Sequence, residues 1–406
     1  MKIACIIHSL DGGGAERVIS GLASRLAQRG HHVTLVTLGD GGGDRHQVDP
    51  AVTRRRLDLL FQSETLWAKF QGHRRRLREL RATLTELAPD VVLSFCDRTN
   101  VLTSLSCPDD LPLLLSERSD PSQQFLGRRW EYLRDRGYPR ATGLIALTAT
   151  SAGHLRQRFD VPVTVIPSAV DPPSRFSDRT AASASQQVIG VGRLEPEKGF
   201  DRLIRAFDQA LGSQPAWTLR ILGEGSCRVR LEELVAERNL VGRVALPGWS
   251  SRVDQELAAA TMFVLPSRYE GFPSALLEAM AIGVPSIAVD CESGPRAVLT
   301  APGQADQHEA APKPGLPDTM PTHQEGITPP ERVLDETGQA FPGGLLIPNH
   351  EDSLADAIAG FASDGSRREA FGAAGKAVTE RFSWDSMVDA YESLLRKAAH
   401  ASRPQQ

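Results

Sequence analysis

Cysteine is scarce in this chain of 406 residues: only Cys5, Cys96, Cys107, Cys227 and Cys291, scattered along its length. That spacing supplies neither a disulfide framework nor a Cys-x-x-Cys metal pair, and it fits a reducing cytoplasm. Also missing is any apolar run near the roughly 18 residues that a membrane-spanning helix requires. The start, Met1–Ile7, resembles a signal peptide, but its apolar run stops at His8 and reads as a buried first strand. There is no Asp-x-Asp pair, no His/Cys cluster and no Gly-x-Ser-x-Gly. A carboxylate-held catalytic metal and a serine-elbow hydrolase are therefore disfavoured. Aromatic residues do not interleave with the arginines and no nucleic-acid motif is present, so nucleic acid is not an expected partner.

What remains is the composition of a globular α/β protein, 41% apolar and 24% charged with a net charge of −4. The charge is unevenly spread. Residues 1–170 carry 23 Lys/Arg against 18 Asp/Glu, with clusters at Arg54–Arg56, at Arg74–Arg76 with Arg78 and Arg81, and at Arg128–Arg129 with Arg134, Arg136 and Arg140. These read either as solvated helix faces or as an attraction for an anionic membrane surface or a phosphate-bearing acceptor. The expected location is cytoplasmic, with peripheral attachment to the inner face of the cytoplasmic membrane following from the second reading.

Short apolar runs alternate with amphipathic helices, which predicts parallel sheets built from β-α-β units. Strands are expected at Ile3–Ile7, His32–Thr37, Val91–Phe95, Leu113–Ser116, Leu144–Leu147 and Val163–Ile166. The pattern lapses over residues 168–186, a stretch of proline, serine and alanine that reads as a linker. It restarts at Val188 and continues through strands at Trp217–Leu222, Arg243–Leu246, Met262–Leu265 and Ser286–Val289. Two Rossmann-like domains, 1–167 and 187–383, follow from this, with a final helix in 384–406 whose apolar face holds Met387, Val388, Tyr391, Leu394 and Leu395. The proline-rich segment 300–337 reads as a mobile surface insertion or a lid.

The most informative stretch is Ser267-Arg268-Tyr269-Glu270-Gly271-Phe272-Pro273-Ser274-Ala275-Leu276-Leu277-Glu278. A strand that turns sharply on glycine into a helix offers backbone N–H groups and a positive helix end to an anionic ligand. One carboxylate, Glu270, sits at the mouth of the turn, and Glu278 lies deeper along the helix. Upstream, Gly192-Arg193-Leu194-Glu195-Pro196-Glu197-Lys198-Gly199 joins a strand to a helix. A guanidinium and an ammonium on such a loop suit a diphosphate. Alone, Arg193 and Lys198 would read as solvated cations, and Glu270 and Glu278 as helix-capping acids. In the first half, Gly12-Gly13-Gly14-Ala15-Glu16-Arg17 links strand to helix, and the lack of a Gly-x-Gly-x-x-Gly fingerprint disfavours an NAD enzyme.

Taken in order, these stretches resemble the retaining glycosyltransferases of family 4, whose Glu-x7-Glu signature spans Glu270 to Glu278. The resemblance implies the GT-B fold, an α/β architecture of two Rossmann-like domains facing across a cleft, with the C-terminal helix packing back on the first domain. It implies that Arg193 and Lys198 hold the diphosphate of a nucleotide-sugar donor and that Glu278 takes its ribose. Glu270 then lies at the donor sugar, and Gly271, Phe272, Pro273, Ser274 and Leu277 complete the donor seat with Gly13 and Gly14. Glu270, Arg193 and Lys198 are the expected catalytic residues. Ser116-Glu117-Arg118-Ser119-Asp120-Pro121 resembles a stretch in bacterial members that elongate lipid-linked oligosaccharides, which puts Glu16, Arg118 and Asp120 on the acceptor side; a helix cap at Ser119 or Asp120 explains it equally. The expected activity is retaining transfer to a glycan acceptor, a lipid-linked oligosaccharide or cell-surface polysaccharide precursor, with no metal and no cofactor. The alternatives are a phosphorylase or a nucleotide-sugar hydrolase or epimerase on the same fold, or a non-catalytic sugar-nucleotide-binding subunit.

Overall fold

The computed structural model describes residues 1–60, 66–171, 185–291, 293–300, 334–335, 338–341 and 343–401. Most of the linker at 168–186 and of the insertion at 300–337 lies outside the described residues. The chain divides into two compact units, Met1–Val170 with Arg381–Gln406, and Asp171–Glu380. Residues 381–383 thus belong with the first unit, where the Phe382 carbonyl accepts a hydrogen bond from the Val170 amide at 2.9 Å.

In the first unit the strands are β1 (Lys2–Ile7), β2 (His32–Thr37), β3 (Thr53–Arg56), β4 (Val91–Phe95), β5 (Leu113–Ser116), β6 (Gly143–Ala146) and β7 (Val163–Val165). They form one sheet in the order β3-β2-β1-β4-β5-β6-β7, parallel throughout. Helices cover both faces, which is why β4 reads Val-Val-Leu-Ser-Phe and is buried at every position. Alternation along β1 sends Ile3, Cys5 and Ile7 into one core and Ala4 and Ile6 into the other.

The helix Trp384–Ala401 completes the first of these cores, burying Trp384, Met387, Val388, Tyr391 and Leu395 beside Ile3, Leu22 and Leu26. Gly21, on the helix Gly14–Gln28, is the seat of the Trp384 indole: a Cβ there would collide with the ring. Arg25 covers that ring at 3.9 Å.

Strand β3 is a difference from the sequence reading, which took Arg54–Arg56 for a basic cluster. It is an edge strand whose arginines pair with acids, Arg54 with Asp44 at 2.9 Å and Arg55 with Glu86 at 2.9 Å. Charged side chains on an edge strand discourage further strand addition.

The second unit carries β8 (Gln187–Val191), β9 (Thr218–Leu222), β10 (Val244–Gly248), β11 (Met262–Leu265), β12 (Ser286–Val289), β13 (Leu334–Asp335), β14 (Gly338–Phe341) and β15 (Gly344–Ile347). Their order is β10-β9-β8-β11-β12-β15-β14-β13, with only the last two pairings antiparallel. The order in which the chain lays down its strands reverses between β1 and β4 in the first sheet and between β8 and β11 in the second. Such switch points leave a crevice beyond the carboxyl ends of the two strands, where open α/β sheets bind ligands. Among the described residues no helix is long and apolar enough to cross a membrane.

Candidate functional site

Strand β8 ends at Val191, and the chain turns through buried Leu194 into a short 3-10 turn, Pro196–Lys198. Gly199 then adopts φ +65°, the left-handed conformation that ends this turn and starts the helix Phe200–Leu211. A Cβ at Gly199 would collide with the Pro266 carbonyl, so glycine is what lets this loop lie against the loop that follows β11. The result is a close pair. Lys198 Nζ donates to Glu270 Oε1 at 2.7 Å, and Ser267 Oγ donates to the same oxygen at 2.6 Å. Glu270 is only 5% exposed, so its charge is held by two donors where water has little access.

Arg268 sutures the two loops. Its backbone amide bonds the Glu197 carbonyl at 2.7 Å, and its guanidinium reaches the Pro196 carbonyl at 2.6 Å. The same guanidinium grips Asp201 with both ends, at 2.9 and 2.8 Å. Asp201 also accepts from Arg205, which forks onto Glu351. Burial would push the Asp201 carboxyl up, but the hydrogen bonds from Arg268 and Arg205 hold it at about 2, below its ordinary 3.8. On the other side Gly294, at φ +94°, lets the loop after β12 approach Glu270: a Cβ there would sit 3.0 Å from the Glu270 Cβ and carbonyl oxygen.

The other expected residues of this unit fall around that pair. Gly271, Phe272 and Pro273 are buried in the turn, and Pro273 caps the helix Ser274–Ile282. Leu277 faces the core of that helix, and Glu278 is half-buried on its next position. Arg193 is set apart from the pair. Its guanidinium bonds Glu197 at 2.9 Å and is 66% exposed.

In the first unit Gly13 caps the helix that begins at Gly14, and the Glu16 carboxylate folds over the cap so closely that a Cβ at Gly13 would collide with it. Glu16 also meets His8 Nε2 at 3.2 Å. Arg118 donates to Ser168 Oγ at 2.6 Å and lies over the Phe95 ring at 4.9 Å. Asp120 is fully buried and caps a turn rather than a helix, accepting from the Ser122 amide and hydroxyl at 2.9 and 2.7 Å. Its Oδ2 is buried with no hydrogen-bond partner. The neighbouring Glu117 is equally buried and pairs with Arg134 at 3.0 Å and with Tyr138. Burial pushes its carboxyl above the usual range even beside that arginine.

Two family models match the chain, Glycosyltransferase Family 4 over residues 12–173 and Glycosyl transferases group 1 over residues 175–304. The chain belongs to the family 4 glycosyltransferases. Over 74% of this glycosyltransferase and 82% of its relative, it is 28% identical to the GalNAc-alpha-(1->4)-GalNAc-alpha-(1->3)-diNAcBac-PP-undecaprenol alpha-1,4-N-acetyl-D-galactosaminyltransferase of Campylobacter jejuni. It is 31% identical to the exopolysaccharide phosphotransferase SCO2592 of Streptomyces coelicolor over 57% of its own length, but spans only 20% of that longer protein. In fold it is similar to Anabaena Alr3699/HepE, solved with UDP and glucose, at a TM-score of 0.70 and 17% identity over 98% of this chain and 99% of that one. The fold is GT-B, and the chain is a glycosyltransferase.

Sequence reasoning missed Ser267, Arg268 and Asp201 as the side chains that brace the Lys198–Glu270 pair. Ser267 and Arg268 lie inside the informative stretch but carry no signal of their own. Asp201 stands in the first turn of its helix, where an acid is ordinarily read as a dipole partner.

Proposed function

We propose that this glycosyltransferase transfers a sugar with retention from a nucleoside diphosphate donor, UDP-linked in the first instance, to a lipid-linked oligosaccharide or cell-surface polysaccharide precursor. One observation carries the proposal: Lys198 and Glu270 are joined at 2.7 Å beyond the carboxyl ends of the two switch-point strands. A buried carboxylate whose Oε1 is engaged by an ammonium and a hydroxyl is poor as a nucleophile, and its Oε2 is a fixed acceptor for a sugar hydroxyl. Glu270 therefore positions the donor sugar, Lys198 lies where the diphosphate departs, and Glu278 takes the ribose. The departing diphosphate accepts the acceptor's proton in a same-face attack. Arg193 swings from Glu197 to the diphosphate when donor arrives, and the two cations serve where other transferases use a metal. On the first unit Glu16, Arg118 and Asp120 are the acceptor-side residues, and the buried Asp120 Oδ2 has no hydrogen-bond partner. The UDP complex of the similar Anabaena protein and the undecaprenol-linked substrate of the Campylobacter relative support these choices of donor and acceptor. The basic first unit works at an anionic membrane surface, on its cytoplasmic side.

The test is a screen of UDP-, GDP- and ADP-sugars for protection against thermal unfolding, followed by Glu278→Ala. A ligand that binds only the native state raises its midpoint. UDP-sugars should protect the parent, and the variant should lose that protection. Equal protection of both would remove Glu278 from the donor site, and inversion at the anomeric carbon of the product would overturn the mechanism.

A further inference from the structure

Phe125 is 70% exposed and Tyr132 56% exposed, on a loop and helix of the first unit that the sugar chemistry does not use. Single exposed apolar residues are ordinary. These two are framed. The exposed stripe of the helix Arg128–Gly137 is Arg128, Arg129, Tyr132, Asp135 and Arg136. Its single acid, Asp135, is paired with Arg158 at 2.7 Å. Arg136 lies over the Tyr132 ring at 5.0 Å. The opposite side of the helix is locked to the body by the buried Arg134–Glu117 pair and by Trp130, which meets His73 edge-on at 5.8 Å.

The Phe125 loop is equally fixed. The Asp120 carbonyl accepts the Gln124 amide at 2.9 Å, and Glu131 accepts the Leu126 amide at 2.9 Å. An exposed aromatic ring on an ordered loop, followed by a helix that exposes Tyr132 and three arginines in a chain of net charge −4, is complementary to a surface that is anionic outside and apolar just beneath.

We propose that Phe125 and Tyr132, framed by Arg128, Arg129 and Arg136, are an interfacial wedge that seats the first unit on an anionic lipid bilayer. This deepens the membrane-surface reading given above and rests on it. The wedge is five positions from Asp120 on the same loop. It therefore brings the headgroup layer to the rim where the acceptor is expected.

The experiment is sedimentation of the whole chain with phosphatidylcholine vesicles and with mixed phosphatidylcholine–phosphatidylglycerol vesicles. The parent should pellet with the mixed vesicles only, and less so as salt is raised. The double variant Phe125→Ser/Tyr132→Ser should partition about tenfold less, the scale set by withdrawing a large aromatic side chain from an apolar layer. Phe125→Trp should gain fluorescence quenching by brominated lipid, which keeps the test open should the serine variant fold poorly. Unchanged pelleting of the double variant, or no quenching at residue 125, overturns the wedge while the arginine attraction stands. Equal pelleting of the parent on both vesicle types overturns the membrane reading itself and leaves the sugar-transfer reading untouched.

Discussion

Lys198 and Glu270 are 72 residues apart in the chain and 2.7 Å apart in space, because each follows the carboxyl end of one of two neighbouring strands, β8 and β11. That adjacency is a product of sheet order, and it makes the pair a unit. Lys198→Ala would leave a buried carboxylate with one donor lost, and Glu270→Ala would leave the ammonium unpaired. Each should lower kcat/KM by about 10²–10³. The double variant should be little worse than the poorer single, since residues that act together are strongly non-additive. Steady-state transfer rates for the four forms check this; simple additivity would mean that the two act separately.

Arg268→Ala should loosen both loops at once by removing the fork to Asp201 and the bond to the Pro196 carbonyl. A loss of about 1–3 kcal/mol is expected in urea unfolding, with a raised KM for donor. Arg268→Lys should recover only part of it, because an ammonium cannot span both carboxylate oxygens. Full recovery by lysine would show that charge alone matters.

Acid stability should depend on Asp201 and Glu392. Hydrogen bonds from Arg29 and Arg396 hold Glu392 at about 2 against an ordinary 4.5, and Asp201 is likewise held at about 2. Folded values below the unfolded ones mean that these groups stabilise the protein at pH above the ordinary carboxylate range. That contribution is lost as pH falls from the unfolded values toward about 2. In urea titrations across this window, Asp201→Asn and Glu392→Gln should flatten the fall in stability. An unaltered slope would remove either group from the account.

Ala88 follows the helix Leu66–Leu87 at φ +41°, is exposed, and precedes Pro89. A non-glycine residue pays a steric penalty in the left-handed region, and glycine does not. Ala88→Gly should therefore raise unfolding stability by about 1 kcal/mol, measured by the midpoint in urea. A decrease would mean that the entropy glycine adds to the unfolded chain outweighs the relief.

The sheets were legible because parallel strands buried on both faces are nearly continuous apolar runs: His32–Thr37, Val91–Phe95, Leu113–Ser116, Met262–Leu265 and Ser286–Val289 lie where periodicity put them. Strand β3 was not, since Thr-Arg-Arg-Arg has no apolar face and pairs only through its backbone and its acidic neighbours. The Lys198 and Glu270 loops stood out through their glycine turns. Nothing local, however, separates the engaged cation Lys198 from Arg193, which bonds Glu197 four residues on. Arg134 likewise sat in an arginine cluster that read as surface; its burial depends on Glu117 in another element. Long-range partners decide such cases, and spacing along the chain does not encode them.

Because the helix Trp384–Ala401 fills a core founded by β1, the unit that leaves the ribosome before its neighbour is finished after it. Ile3, Leu22 and Leu26 emerge early and stay without their cover of Trp384, Tyr391 and Leu395 until the whole second unit has been made. Through that interval the nascent chain presents an open apolar face, the kind of surface that recruits chaperones or invites association between chains. The second unit, continuous from Asp171 to Glu380, has no such wait. Synthesis order and folding order therefore run opposite ways for these two units, and a chain interrupted before Trp384 would harm the unit that was made first.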